Sequence, residues 1–362
     1  MKPITHLFCK SATEMVPYSP IEPPDQIANR LGLKEEDIIK LDANENPYGT
    51  SQEVIAALAE QRYYHIYPDP AQVQLRQAIS AYAGVDTGMI IAGTGADEII
   101  DIACRLLLEP GDKVLSFTPT FSYYSHIIAL NRGIYMEIPR EADFSISVEK
   151  ARKIDLARCK LVILCSPNNP SGNLVSEEVL DYFLNQDLVV MLDEAYFEFS
   201  AISHVSKLKN HNNLLVLRTF SKCFGMAGLR VGYGLGSSEL ISAMMKIKPP
   251  FSVNVAAEAA LKVCLENLSF YRNQVQKIID TREWTINQLK TFKQLKVFDS
   301  SSNFILCRVE GFEAAQLCKE LEKTGILLRY FGTSLLKDCI RVSVGTANQM
   351  SIFIKRLATF IR

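Results

Sequence analysis

The chain lacks the features that would place it in several large functional classes. Its nine cysteines contain no Cys-x-x-Cys spacing, so neither a zinc site nor a redox pair is indicated, and they read as small core residues in a reducing compartment. Charge of one sign is not in excess: 39 Lys and Arg face 40 Asp and Glu, and a net charge of −1 gives no footing for nucleic acid or an anionic membrane. No apolar run reaches the ~18 residues needed to cross a bilayer. The N-terminus is broken by Lys2, His6, Lys10 and Glu14, so it lacks the apolar core of a secretory signal. Internal repeats and low-complexity linkers are also missing. These absences point to a cytoplasmic globular protein, and 362 residues suggest one large domain with a smaller one beside it.

What is present is an alternation of helical and apolar-strand patterns. Thr50 with Glu53 resembles a capping box, and Val54, Ala57 and Leu58 follow at helical spacing. Ile99, Ile102, Ala103 and Leu106 repeat that spacing until Glu109-Pro110-Gly111. Continuous apolar runs then occupy Val114–Phe117, Leu161–Cys165, Leu188–Leu192 and Leu214–Leu217. Runs of this kind, separated by room for crossover helices, predict a buried and mostly parallel sheet. After Lys248-Pro249-Pro250 a long helical stretch carrying Trp284 leads to Phe304–Cys307, a helix near Phe312–Lys323, Ile326–Leu328, Ile340–Val344 and a final helix. The expected fold class is therefore α/β: a large domain with a mostly parallel sheet flanked by helices, plus a smaller α+β C-terminal domain of two or three short strands.

Each apolar strand of the middle region is followed at once by chemically capable residues. Thr118-Pro119-Thr120-Phe121, Ser166-Pro167-Asn168-Asn169-Pro170, Asp193-Glu194-Ala195-Tyr196 and Ser221-Lys222 occupy those positions. The carboxyl ends of parallel strands emerge on one edge, so the four groups converge where α/β proteins bind ligands. Lys222 at a strand end can form a Schiff base with an aldehyde cofactor such as pyridoxal 5'-phosphate. Asp193 can pair with a pyridine nitrogen and keep it protonated. Asn169 and Tyr196 can hydrogen-bond the ring's 3'-oxygen, and Phe121 offers a face for stacking. Gly95-Ala96-Asp97-Glu98, opening a helix, can present backbone N–H groups to a phosphate, with Arg230 and Ser221 adding donors.

Each piece also has a structural reading. Asp193-Glu194 suits a helix cap, Asn168 to Gly172 suits a turn, and Phe121 with Tyr123 and Tyr124 suits a core. Gly93 and Gly95 make half of a dinucleotide fingerprint, but Glu98 stands where its third glycine belongs. Gly232, Gly234 and Gly236 suit a strand packed closely against its neighbours.

The chain resembles the fold-type-I pyridoxal-phosphate enzymes of the aspartate aminotransferase superfamily, and within it the histidinol-phosphate aminotransferases. Leu41 to Gly49 (LDANENPYG), Tyr67-Pro68-Asp69-Pro70, Gly95 to Glu98, Ser166 to Pro170, Asp193 to Tyr196, Arg218 to Lys222, Gly228-Leu229-Arg230 and Arg341 to Gly345 carry the resemblance. It implies Lys222 as the Schiff-base lysine, Asp193 as the ring-nitrogen partner, Asn169 and Tyr196 on the 3'-oxygen, and Ala96, Asp97, Ser221 and Arg230 around the phosphate. Phe121 takes a stacking position where tyrosine is frequent. The resemblance further implies a homodimer in which Tyr67 reaches the neighbouring subunit's cofactor phosphate. Asn46, Arg329 and Arg341 are implied as substrate-binding residues. It divides the chain into an N-terminal arm at 1–31, a segment at 32–50 joining the small domain, a cofactor-binding domain at 51–250 and a C-terminal domain at 251–362.

The implied reaction moves an amino group between L-histidinol phosphate and 2-oxoglutarate, giving glutamate. One guanidinium fork binds a phosphate or a carboxylate alike, so Arg329 and Arg341 suit both half-reactions. Aromatic amino acid transamination, a threonine-phosphate decarboxylase-like activity and a regulatory cofactor-binding module are the competing readings. No basic helical module of a DNA-binding kind precedes Leu41.

Overall fold

The computed structural model describes residues 3–15 and 22–361, so parts of the expected arm, residues 1–2 and 16–21, lie outside the described residues. In chain order the strands are β1 (Ile39–Leu41), β2 (Ile90–Thr94), β3 (Lys113–Thr118), β4 (Ile134–Pro139), β5 (Cys159–Cys165), β6 (Val189–Asp193), β7 (Leu214–Thr219), β8 (Val231–Gly236), β9 (Leu295–Val297), β10 (Phe304–Val309), β11 (Ile326–Tyr330) and β12 (Cys339–Ser343). They form a seven-stranded sheet in the order β2-β8-β7-β6-β5-β3-β4 and a five-stranded sheet in the order β1-β11-β12-β10-β9.

The larger sheet is mostly parallel, as expected, because its central strands are apolar on both faces. Val162, Leu164, Val190, Leu192, Leu214 and Val216 enter one core. Their alternates Leu161, Ile163, Met191, Leu215 and Leu217 enter the other. A period-two split of a continuous apolar run is what a sheet covered on both sides requires. β8 is the exception, running antiparallel to both β2 and β7. That reversal has a consequence for function. Two antiparallel steps leave β2 pointing the same way as β7, so Gly95 at the exit of β2 and Arg230 at the entrance of β8 reach the edge where β3, β5, β6 and β7 end.

Gly232 on β8 seats the helix Gly95–Leu107 on the sheet, because a Cβ there would lie 2.2 Å from the backbone nitrogen of Ala96. Only hydrogen fits at that contact. The expected close packing along this strand is thus explained for the glycine nearest the site.

Two expectations are corrected. The helix Gln52–Glu60 is capped by Ser51, whose hydroxyl accepts from Val54 N at 3.3 Å. Thr50 instead pairs its hydroxyl with that of Tyr271 at 2.8 Å, so it is spent on a contact with the helix Leu268–Leu289. The smaller sheet has five strands rather than two or three. β1 and β9 are three residues each, too short to show a period, and β1 pairs in parallel with β11 through Ile39–Ile326 and Leu41–Leu328. This pairing ties the segment before the larger sheet to the smaller one. The helix Val255–Glu266 packs against Gln52–Glu60 and Val73–Ala83, and the chain passes to the smaller sheet along Leu268–Leu289.

Candidate active site

A cavity of about 290 Å³ opens at the carboxyl edge of the larger sheet, beneath the smaller one. β6 delivers Asp193 to its floor, and β7 is followed by Ser221 and Lys222 beside it. Phe121 follows β3, Asn169 follows β5, and Arg329 and Arg341 descend from β11 and β12, where their Cα atoms are paired.

Lys222 Nζ donates to the carbonyl of Ala43 at 3.2 Å and stands 5.8 Å from the centroid of the Tyr196 ring. Burial, reinforced by the positive charge of Arg341, lowers its pKa to about 8. A desolvated amine of this kind is neutral, and so nucleophilic, over a range where an ordinary lysine is not.

Asp193 Oδ1 accepts from Ala195 N at 3.0 Å, and Oδ2 accepts from the hydroxyl of Tyr124. Burial raises its pKa, and the Tyr124 and Ala195 hydrogen bonds oppose that rise. Its neighbour Glu194 points away from the cavity into a buried ion pair with Arg218 at 2.9 Å. Of the two adjacent carboxylates, one is consumed by structure and the other is presented to the cavity.

The phenol oxygen of Tyr196 accepts from Asn44 Nδ2 at 3.1 Å and from Asn169 Nδ2 at 3.4 Å. With both acceptor positions occupied, the phenol's own hydrogen is left to donate. Asn169 Oδ1 accepts from Arg341 Nη1 at 2.7 Å, and Arg341 Nη2 donates to the carbonyl of Asp42.

At the other end of the cavity, Arg230 Nη2 lies 3.0 Å from Asp97 Oδ2 above the first turn of the helix Gly95–Leu107. Gly95 has φ +80°, and a Cβ there would meet Arg230 Nη2 at 2.5 Å. The space over that turn is therefore kept for a guanidinium and whatever anion it binds. Ala96, Asp97 and Ser221 line the same end. An anion cup at one end, a carboxylate on the floor, a desolvated amine at the side and the Phe121 ring in the wall are the donor set that pyridoxal 5'-phosphate requires, and the residues fit it.

Asn46, expected at the site, is not brought to it, and Tyr67, expected at the neighbouring subunit's phosphate, stands outside this chain's own cavity. Asn46 is buried behind Lys222, where Nδ2 donates to Cys223 O at 2.7 Å and to Gln274 Oε1 at 2.9 Å, while Oδ1 accepts from Tyr48 N at 2.9 Å. All its hydrogen-bonding atoms are engaged in holding the segment, and Asn44 and Glu45 face the cavity in its place. Tyr67 is 78% exposed and stacks on Phe251 with ring centroids 4.5 Å apart, away from this chain's own cavity. Sequence reasoning missed Asn44 and Tyr124. Asn44 sits two places from Asn46 in the same motif. Tyr124 lies three residues after Phe121, in the first turn of the helix Tyr123–Leu130, and the sequence carries no signal that sets its hydroxyl apart from a core aromatic.

A mostly parallel sheet ending in this lysine–carboxylate site, with two arginines from a second sheet above it, defines a class of transaminases. The family pattern described as Aminotransferase class I and II matches residues 36–357, and the chain belongs to that family. Histidinol-phosphate aminotransferases are among its relatives. The chloroplastic histidinol-phosphate aminotransferase of Nicotiana tabacum is 42% identical over 350 residues, 96% of this chain and 85% of that protein. The histidinol-phosphate aminotransferase of Roseiflexus castenholzii is 41% identical and covers 96% of each chain. Among solved structures, the histidinol-phosphate aminotransferase of Clostridium acetobutylicum superposes with a TM-score of 0.84 at 25% identity, over 89% of this chain and 99% of that one. The enzyme of Sinorhizobium meliloti, crystallised in complex with pyridoxal-5'-phosphate, shares the fold with a TM-score of 0.85 at 24% identity, over 98% of each chain. Among the described residues no helix is long and apolar enough to cross a membrane.

Proposed function

We propose that this aminotransferase moves the amino group of L-histidinol phosphate to 2-oxoglutarate, with pyridoxal 5'-phosphate as cofactor. The observation that carries the reading is one cavity in which the low-pKa amine of Lys222 and the carboxylate of Asp193 lie beneath Arg329 and Arg341. Bound there, the cofactor supplies an aldehyde that takes up the amino group and a ring that withdraws electrons from the substrate's Cα.

The protein's part is to hold and to move protons. Arg230, Ser221 Oγ and the N–H groups of Ala96 and Asp97 would grip the phosphate, and Phe121 would stack on the ring. Asp193 would keep the ring nitrogen protonated, while Tyr196 and Asn169 donate to the 3'-oxygen. Lys222 would anchor the cofactor, then release it to the incoming amine and take the proton from the substrate's Cα at Nζ. Arg329 and Arg341 would receive the phosphate of one substrate and a carboxylate of the other. The test is glutamate formation from 2-oxoglutarate with histidinol phosphate, set beside phenylalanine and threonine phosphate as competing donors. A preference for phenylalanine would move the assignment to an aromatic aminotransferase.

Replacing Asp193 by asparagine isolates its charge. A charged hydrogen bond contributes roughly 1.5–3 kcal/mol, so Cα proton transfer should slow by roughly 10- to 150-fold while much cofactor stays bound. Single-turnover absorbance with glutamate checks this, and an unchanged rate would leave Asp193 as a helix cap.

The same reading includes a homodimer in the reducing cytoplasm, built from the arm at 1–31, the joining segment at 32–50 and domains at 51–250 and 251–362. Tyr67 supports the dimer, because it is exposed together with Tyr63, Tyr64, Ile66 and Phe251. Such a patch suits burial against a second copy, with Tyr67 reaching that copy's phosphate cup. Sedimentation equilibrium checks the dimer, and a monomer at working concentration removes Tyr67 from the site.

A further inference from the structure

The hydroxyl of Tyr124 is a buried polar group aimed at the carboxylate on which the ring chemistry depends. Tyr124 is fully buried, and its hydroxyl donates to Asp193 Oδ2. Asp193 is 5% exposed, and its other oxygen takes the N–H of Ala195 at 3.0 Å. Nothing here resembles the arrangement of Glu194, which has the Arg218 guanidinium at 2.9 Å to balance its charge. Two neutral donors do that work for Asp193, and both are needed because a carboxylate withdrawn from water without donors takes up a proton. Burial raises the Asp193 pKa, and among the hydrogen bonds that oppose the rise the one from Tyr124 is the largest.

The geometry also fixes direction. Tyr124 stands in the first turn of the helix Tyr123–Leu130, and its ring meets Phe121 edge-on with centroids 5.4 Å apart. One short stretch of chain thus carries both the stacking face and the donor behind the carboxylate. A buried tyrosine hydroxyl needs a partner, and of those the fold could offer it takes the carboxylate of Asp193.

We propose that Tyr124 is a positioning residue for Asp193: its hydroxyl orients the carboxylate and holds it ionised toward the cofactor's ring nitrogen. The inference rests on the reading of the cavity as a pyridoxal-phosphate seat. It adds a residue whose effect passes entirely through Asp193.

The test is a double-mutant cycle on the holoenzyme with Tyr124→Phe and Asp193→Asn, read by the ¹⁵N signal of a labelled pyridoxal-phosphate ring nitrogen and by the cofactor's dissociation constant. In the parent the signal should be that of a protonated ring nitrogen. Tyr124→Phe should move it toward the unprotonated form and weaken cofactor binding about tenfold or more. The thermal midpoint of the cofactor-free protein should fall only by the few degrees that one lost buried hydrogen bond implies. The double variant should be no worse than Asp193→Asn alone, because residues acting through one contact are not additive. Tyr124→Leu, a second hydroxyl-free variant, should agree and decides the matter if the phenylalanine variant does not fold. A parent-like nitrogen signal and affinity in the hydroxyl-free variants overturns the proposal, as does full additivity in the cycle. Failure of the cavity reading is a separate result, since the parent itself would then take up no pyridoxal phosphate.

Discussion

Lys222→Ala should abolish covalent capture of the cofactor and lower turnover by at least the ~10²–10⁴-fold that follows removal of a general acid–base group. Both losses come from one atom. Nζ is the nucleophile that anchors the aldehyde and the base that carries the Cα proton, so no neighbouring side chain inherits either role. The structure adds a pH signature. With the pKa of Lys222 lowered to about 8 by burial and Arg341, the neutral amine becomes the majority form above about pH 8. The rate at which cofactor-free protein captures pyridoxal phosphate should therefore rise with pH, pass its half-maximum at about pH 8 and level off above it, whereas with an ordinary lysine the half-maximum would lie near its reference pKa of ~10.4. Borohydride should fix the cofactor to the parent and not to the variant. Undiminished turnover in Lys222→Ala would end the mechanism.

How this site assembles was legible where the sequence combined a run of apolar residues with the polar residue that ends it. Leu214–Leu217 followed by Ser221-Lys222, and Leu188–Leu192 followed by Asp193, predict both a buried strand and the edge at which its chemistry appears. Arg230 is different. It reaches that edge only because β8 runs antiparallel between β2 and β7, and strand direction leaves little mark in composition. Its approach to the helix Gly95–Leu107 depends on two glycines, Gly232 beneath the first turn and Gly95 beside the guanidinium.

Other parts were not legible, for physical reasons. Asn44 and Asn46 share one motif and one residue type, and what separates them is backbone conformation. Asn44 has φ 56°, in the left-handed region, which turns the chain so that its amide meets Tyr196 while Asn46 faces the carbonyl of Cys223. A sequence motif cannot show that turn. Tyr124 was hidden because a buried tyrosine and a buried phenylalanine leave the same apolar pattern, and only the position of Asp193 Oδ2 reveals the hydroxyl's use. Tyr67 has its ring on the surface against Phe251, outside this chain's own cavity.

Arg341→Ala should weaken histidinol phosphate and glutamate together. Arg341 is 5% exposed, and its guanidinium lies over the rings of Phe304 and Phe331 at 5.4 and 5.6 Å and is braced by Asn169 Oδ1 at 2.7 Å. Bracing of this kind holds the planar fork in place before substrate arrives, which reduces the ordering cost of binding an anion. Truncating one partner of a buried charged pair costs about 2–5 kcal/mol, so kcat/KM in each half-reaction should fall by roughly 30-fold to several thousandfold. Arg341→Lys should recover only part of it, because a point charge does not match the forked geometry. Cofactor content should change little, since the phosphate cup around Arg230 is at the other end of the cavity. Steady-state kinetics with each substrate, together with absorbance of the bound cofactor, decide the matter. Loss of cofactor without loss of substrate binding would mean that Arg341 supports Asn169 and the ring rather than reading the substrate, and equal activity of variant and parent would remove it from the site.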